Sequence, residues 1–385
     1  MGTVIEKLKQ SKAFSCLECG KCTAVCPISK YNNSYSPRRL VAEGLFYGTD
    51  DLVSDRLLWS CLTCQMCSQR CPVDVRYSEY MRDIRSEAVS QGKSGNYSHG
   101  GALHYIMEMA ASPKLKQNRT GWLEGDLKVR RKGEVLYFAG CLPYYQDLFA
   151  KDFDFSPLSI ARDTVKILNV LGIEPVVLDN ERCCGHDLYW LGQLGTFEEL
   201  GRLNVKMIEK TGAQLVVTAC PECALALKQL YPERLGETGF EVKHMSEFLA
   251  ENRERLQFKD LAMEVTFQDP CRLGRYLGVY EQPRDVINSI PGVTVHEMAH
   301  SRRSAVCCGT TNWMNCDATS KQIQRGRLVE AKASGARTLV TACPKCQIHF
   351  RCAQCGEESN DIDIEIVDFV NLVASALEGI SIPRG

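Results

Sequence analysis

No stretch of this chain stays apolar for long. Lys, Glu, Arg or Gly interrupts every hydrophobic run within about ten residues, short of the roughly 18 to 20 needed to cross a bilayer, so no transmembrane segment is expected in it. An excess of one charge is also missing. The 46 Lys and Arg nearly balance 47 Asp and Glu, which removes the field that would gather nucleic acid or an anionic lipid surface. The short cluster Lys128, Arg130, Arg131, Lys132 reads as a solvated linker. The beginning, MGTVIEKLKQSK, lacks the apolar core of a secretory signal, and the expected compartment is the cytoplasm, with any membrane association made through a partner. Neither G-x-G-x-x-G nor a Walker A pattern occurs, so a nucleotide or flavin is expected on a partner.

Cysteine is what the sequence has in plenty, 21 among 385 residues. On a prior of roughly 150 residues per domain, the chain holds two or three domains large enough to bury cores. It has no need of a disulfide framework, and the odd count without a secretory leader points to reduced thiols that bind metal. Eight cysteines lie between Cys16 and Cys71, none falls between Cys71 and Cys141, and thirteen spread from Cys141 to Cys355. Within the gap, QGKSGNYSHGG (91–101) and SPKLKQNRTGWLEGD (112–126) flank one helical pattern, ALHYIMEMAA. The expected division is a domain at 1–90, a linker at 91–133, and two units at 134–259 and 260–385.

Those two units are an internal duplication. TGAQLVVTACPECALAL (211–227) realigns with SGARTLVTACPKCQIHF (334–350), 123 residues later; Cys183–Cys184 realigns with Cys307–Cys308 after 124, and Cys141 with Cys271 after 130. Each unit alternates β-rich runs with helical patterns. In the first they are EVLYFAG, SIARDTVKILNVLG, EPVVLD, a helix after Cys–Cys–Gly, LVVTA, and a helix from Pro221. The alternation predicts a parallel α/β layer with its cysteines at strand ends just before helices, where open α/β sheets place their sites. Helix N-termini there favour anionic sulfur. The first 90 residues read as helices between cysteine runs, such as SPRRLVAEGLFYG and SEYMRDIRSEAVSQ. The expected fold class is therefore α+β multidomain, with an N-terminal α-helical module that carries the first eight cysteines followed by two duplicated α/β cysteine-rich domains.

The helical module carries two copies of C-x-x-C-x-x-C-x-x-x-C-P, Cys16, Cys19, Cys22, Cys26 with Pro27 and Cys61, Cys64, Cys67, Cys71 with Pro72, and this bacterial ferredoxin spacing makes an α-helical ferredoxin module the expectation. In this spacing three close thiolates wrap one [4Fe–4S] cubane, and the fourth ligates the other cluster. The expected sets are Cys16, Cys19, Cys22, Cys71 and Cys61, Cys64, Cys67, Cys26. A pair of zinc sites is the plainer alternative for C-x-x-C, but a closed tetrahedral site has no use for four cysteines in eleven residues plus Pro, twice over. The 34 residues between Cys26 and Cys61 resemble the longer spacer of helical ferredoxin modules in respiratory iron–sulfur subunits.

The second constellation is one Cys, a Cys–Cys–Gly about 40 residues on, and a C-P-x-C about 35 later: Cys141, Cys183, Cys184, Cys220, Cys223, then Cys271, Cys307, Cys308, Cys343, Cys346. Five thiols are one more than a cubane or a zinc ion needs. Adjacent cysteines strain a single tetrahedral metal but can bind neighbouring irons of an extended cluster, with Gly185 or Gly309 freeing the backbone.

At these residues the sequence resembles the cysteine-rich CCG domain family, and its whole layout resembles the D-subunit family of heterodisulfide reductases, equivalent to the C and B subunits fused. The resemblance implies a non-cubane four-iron cluster on each set of five cysteines, besides the two [4Fe–4S] cubanes, and a disulfide bound between the two sites. It implies one component of a complex, with a flavin- or cytochrome-carrying electron donor and a small-molecule disulfide or thiol substrate. Iron–sulfur subunits of glycerol-3-phosphate dehydrogenase, lactate-utilisation proteins and thiol:fumarate reductase share the architecture, and several keep fewer of these cysteines. Electrons are expected to pass along the cubanes to the paired CCG sites, each supplying one electron and capturing one sulfur. The alternative is a non-catalytic conduit in an electron-bifurcating or aromatic-ring-reducing complex, which the same cysteines would serve.

Other residues draw weaker readings. His186, just past Cys184–Gly185, reads as a local hydrogen-bonding group before a proton donor, and His349 as a core or surface residue. Cys316, Cys352 and Cys355 have no counterparts in the first unit, and the last two read as packed thiols before a fifth metal site. Lys345, inside the second C-P-x-C, is placed to meet an anionic substrate.

Overall fold

The computed structural model describes residues 9–153, 155–356 and 361–380; most of the stretch read for a secretory signal, residues 1–8, lies outside them. By their contacts the residues form two units, one of Met1–Met109, Gly185–Phe197 and Val306–Gly326, the other of Ala110–Cys184, Glu198–Ala305 and Arg327–Gly385. Among the described residues, no helix is long and apolar enough to cross a membrane.

In the first unit, cysteine runs and prolines keep the helices short. Pro27 and Pro37 open the helices Pro27–Tyr31 and Pro37–Phe46, where a missing N–H costs nothing, and the Ser36 hydroxyl caps the second by accepting from Arg39 N at 3.2 Å. The helices at Pro37–Phe46, Tyr77–Ser90 and Ala102–Ala110 fall on the sequence patterns. The two cysteine runs coil alike. Glu18 and Gly20 in one, and Thr63 and Gln65 at the matching positions of the other, have φ between +46° and +76°. These left-handed residues turn the chain tightly between successive thiols. Helix Tyr77–Ser90 lies beneath them: Tyr80 donates to Leu40 O at 2.9 Å, and the buried Arg85 donates to Leu58 O at 3.0 Å and Cys61 O at 2.8 Å.

The second unit contains two four-stranded parallel sheets of identical order. The first has β1 (Val135–Tyr137), β2 (Val176–Val177), β3 (Leu215–Thr218) and β4 (Glu241–His244) in the order β2-β1-β3-β4; the second has β5 (Met263–Gln268), β6 (Val293–Val295), β7 (Thr338–Thr341) and β8 (Glu365–Asp368) in the order β6-β5-β7-β8. The central strands LVVT and TLVT are almost wholly buried, as expected of parallel strands covered on both faces. In each sheet the chain leaves the first strand to one side and returns on the other, so the crevice between strands one and three is the topological switch point.

The repeats exchange equivalent contacts. Helix Leu142–Phe153 packs on Pro344–Gln354 as Arg272–Tyr276 packs on Pro221–Leu225, and Pro157–Val170 packs on Phe369–Ala376 as Glu281–Asn288 packs on Met245–Glu251. This is the pattern of a two-fold interface, made within one chain by duplication. The copies also differ. After Cys183–Cys184–Gly185 a helix starts at once, His186–Leu191, whereas after Cys307–Cys308–Gly309 the next α-helix begins only at Ala318. Asn312, Trp313 and Asn315 there adopt positive φ, which an α-helix cannot contain. The basic stretch also departs from a purely solvated linker: Arg130 N donates to Pro175 O at 2.9 Å and Arg130 lies parallel to Val176, using the free edge of β2.

Candidate metal centres

In the first unit the thiols sort into two groups by environment. Cys16, Cys19, Cys22 and Cys71 line one cavity together with Lys21 and Arg38, and Cys67 reaches its wall. Cys26 associates instead with Cys61, Cys64 and Cys67. Burial pushes the Cys26 thiol up to about 12, and the nearby Cys64 and Cys61 add to the rise. Burial also lifts Cys67 well above its usual range, reinforced by Cys64, Cys61 and Cys26. Cys71 thus lines a cavity with thiols of the first run, Cys26 lies near thiols of the second, and Cys67 borders both groups. Donors already point at the sulfurs: Val75 N lies 3.3 Å from Cys71 Sγ and Thr63 N 3.3 Å from Cys61 Sγ. Tyr35, buried and 3.0 Å from the Tyr77 hydroxyl, also hydrogen-bonds Cys61. Burial raises the Cys61 thiol, while the Arg85 guanidinium pulls it down and would stabilise its thiolate.

The five thiols of the first repeat converge at the switch point. Cys141 follows β1, Cys220 caps the helix Pro221–Leu225 after β3, and Cys223 lies on that helix's first turn. Cys141 Sγ is 3.7 Å from Cys183 Sγ. Cys184 is hydrogen-bonded to Cys183 and Cys223, which hold its thiol below the usual range, and Cys223 in turn is bonded to Cys220. Gly140 has φ +65°, and a Cβ there would lie 2.7 Å from Cys223 Sγ. This donor set fits a thiolate-bound metal cluster, because five soft sulfur ligands are gathered at one place.

The surrounding polar groups hold this loop. The buried Glu181 carboxylate accepts from Gly140 N at 2.7 Å and Ala139 N at 3.1 Å, and Arg119 donates to Gly140 O while lying 3.6 Å from Glu181. Burial pushes the Glu181 carboxyl up to about 7 against the opposing Arg119 charge. Behind the vicinal pair, Asn204 donates to Cys183 O at 3.1 Å and Tyr231 to Cys184 O at 3.0 Å. Sequence reasoning passed over all four. Glu181 carried a faint signal, since E-R-C-C-G in one copy aligns with A-V-C-C-G in the other. Arg119 carried none, being in the segment read as a linker.

In the second repeat, Cys271 follows β5 at the start of a wide π-helical turn, Arg272–Tyr276. Cys343 caps helix Pro344–Gln354, its sulfur 3.5 Å from Cys346 N. Cys307 and Cys308 are buried within the first unit, before Gly309 at φ +84°, where a Cβ would lie 2.8 Å from Ser320 O.

Several weaker readings change. Lys345 does not face outward to an anion: it is 2 % exposed and its ammonium lies 2.6 Å from Glu222, the matching residue of the other C-P-x-C. Cys355 is exposed and Cys352 half-buried at the end of helix Pro344–Gln354, so these are not packed core thiols; Cys316 is exposed too. His186 is buried with Nδ1 3.1 Å from Asp187, and His349 is buried.

Comparison with known proteins gives the same two modules. A family model described as a cysteine-rich domain (CCG) matches residues 135–228 and again 265–351, and one described as a 4Fe-4S dicluster domain matches 12–75. The D subunit of the dihydromethanophenazine:CoB–CoM heterodisulfide reductase of Methanosarcina barkeri is 33% identical over 78% of this chain and 73% of its own length. The B subunit of the fumarate reductase (CoM/CoB) of Methanothermobacter marburgensis is 27% identical over 95% of this chain and 72% of its own. Among solved structures, a hypothetical protein from Helicobacter pylori shares the fold with a TM-score of 0.55 at 11% identity, over 99% of this chain and 78% of that one.

Proposed function

Since this chain belongs to the D-subunit family of heterodisulfide reductases, iron–sulfur electron-transfer proteins, we propose that it accepts electrons in its ferredoxin module and delivers them to two cysteine-rich sites that reduce a small-molecule disulfide. The observation that carries this reading is the convergence of Cys141, Cys183, Cys184, Cys220 and Cys223, one thiol more than a simple cluster takes. Two [4Fe–4S] clusters, on Cys16, Cys19, Cys22, Cys71 and on Cys26, Cys61, Cys64, Cys67, and two non-cubane four-iron clusters on the CCG cysteines, the second set being Cys271, Cys307, Cys308, Cys343 and Cys346, would supply one-electron steps and sulfur-binding iron.

The protein's own residues do the rest. Burial keeps water from Cys61, Cys64 and Cys67, and Tyr35 and Arg85 support charge on Cys61. Glu181 and Arg119 fix the turn that presents Cys141. Reducing one disulfide to two thiols takes two electrons and two protons, which matches two copies of a site. The electrons come from a partner redox protein.

Anaerobic purification followed by iron and acid-labile sulfide analysis tests the reading. About sixteen irons per chain are expected, with a paramagnetic signal that appears on adding thiol under oxidising conditions. Replacing Cys184 or Cys308 by Ser is expected to abolish disulfide turnover and leave the ferredoxin-type signals. About eight irons with no thiol-dependent signal would replace the reductase by an electron conduit, and zinc in place of iron would end both readings.

A further inference from the structure

The two cysteine groups of the ferredoxin module differ in their access to solvent. Cys61, Cys64 and Cys67 are 6, 7 and 9 % exposed and Cys26 is half-buried, whereas Cys19 is exposed and Cys16, Cys22 and Cys71 are half-buried. Electron transfer weakens steeply with distance, so an external carrier reaches the Cys16, Cys19, Cys22, Cys71 set more readily than the other.

The surface around Cys19 is apolar at its centre and basic at its rim. Leu17 is 65 % exposed and Phe14 53 %. Lys21 and Arg38 line the same cavity as the cysteines. Helix Lys21–Val25 packs against the turn Ser68–Arg70, whose Arg70 is exposed, and against helix Pro37–Phe46. Two nearby carboxylates are already engaged, Asp74 by Lys12 at 2.6 Å and Glu43 by Arg39 at 3.1 Å. Among the described residues Lys21, Arg38, Arg70 and Arg76 have no carboxylate within ion-pair distance. Glu18 is the one carboxylate lining the cavity. The chain as a whole carries a formal charge of −1, so this excess of positive charge is local.

We propose that this face, centred on Cys19 and Leu17 and rimmed by Lys21, Arg38 and Arg70, docks an acidic one-electron carrier protein. The inference rests on the reading that Cys16, Cys19, Cys22 and Cys71 hold a redox-active cluster. The carrier loses one electron and that site gains it; two carriers, or two visits by one, supply a disulfide. A small apolar contact ringed by complementary charge suits a partner that must arrive quickly and leave again, because the charge raises the encounter rate without building a permanent interface. An anionic lipid surface would also be drawn to the basic rim, but it has no use for a metal site at the centre.

The test uses the anaerobic holoprotein and a photoreduced acidic [2Fe–2S] ferredoxin as probe, with reduction followed by stopped flow. The wild-type rate is expected to fall as salt rises. The double variant Lys21→Glu/Arg38→Glu is expected to be at least tenfold slower at low salt and to lose most of the salt dependence, while its reduction by the methyl viologen radical cation is not slowed. An unchanged rate and salt dependence in the double variant would overturn the proposal. So would iron missing from the Cys16, Cys19, Cys22, Cys71 set, or binding to phosphatidylglycerol vesicles without any transfer from the ferredoxin. Normal carrier kinetics with no disulfide turnover would instead remove the reductase reading and leave the docking face in place.

Discussion

Gly140 and Arg85 show how single residues shape the candidate centres. Gly140 stands in the left-handed region with Cys223 Sγ in the space a side chain would occupy. Gly140→Ala therefore meets two penalties: about 1–2 kcal/mol for the backbone conformation and displacement of a sulfur that the site needs. The expected result is loss of about four irons per chain with the ferredoxin-type signals retained, checked by iron analysis and paramagnetic resonance. A full iron complement in the variant would show that Cys223 does not hold metal. Arg85 is the less visible case. It sits in SEYMRDIRSEAVSQ between Ile84 and Ser86, and it is fully buried and ties Leu58 and Cys61 to its helix. Helical periodicity finds apolar faces; it does not mark an arginine whose partners are backbone carbonyls brought from elsewhere in the chain.

At the scale of elements, the fourth strand of each sheet hands over to a helix through a buried titratable cap. His244 caps Met245–Glu251, its Nδ1 accepting from Ser246 N at 3.1 Å and its Nε2 facing Ala219 O at 3.1 Å, which requires the neutral ring. Burial pushes its pKa down to about 4. The unfolded chain therefore binds a proton that the folded one refuses, and stability falls as pH drops from 6.5 toward 4. Asp368 caps Phe369–Ala376 by accepting from Val370 N at 2.8 Å, and burial, with Asp163 adding to it, pushes its carboxyl up to about 8. Here the sign reverses. The folded state keeps a proton that the unfolded state releases above 3.8, so stability declines as pH rises toward 8. Asp368→Asn keeps an accepting oxygen and removes the titration. Urea unfolding from mildly acid to mildly alkaline pH is expected to show the variant losing at least about 1.4 kcal/mol less than the wild type, the equivalent of one pKa unit. Equal pH slopes would mean that Asp368 is ionised in the fold.

At the scale of the whole molecule, duplication turns one α/β unit into a paired structure whose contacts repeat with partners exchanged. Glu222 and Lys345 occupy the same position in the two C-P-x-C sequences and meet as a buried ion pair, with opposite charges on equivalent cysteine helices. Lys345→Met leaves the Glu222 carboxylate without its ammonium and is expected to cost on the order of 3 kcal/mol in urea unfolding. Adding Glu222→Leu should recover much of that loss; a double variant no more stable than the single one would show that the pair is not what links these helices. Much of this organisation was legible in the chain. The cysteine spacings, the realignment of TGAQLVVTACPECALAL with SGARTLVTACPKCQIHF, and the alternation of strand and helix patterns determined the ferredoxin module, the two copies and their parallel sheets. These are properties of local spacing and period, which a linear text preserves. Tertiary structure alone decided that Lys345 turns to Glu222 rather than to an anion, that Arg119 and Glu181 brace the Cys141 turn, and that the segment after Gly309 does not begin a helix. Each depends on desolvating a charge, or on seating a backbone against residues far away in sequence, and neither leaves a period to read.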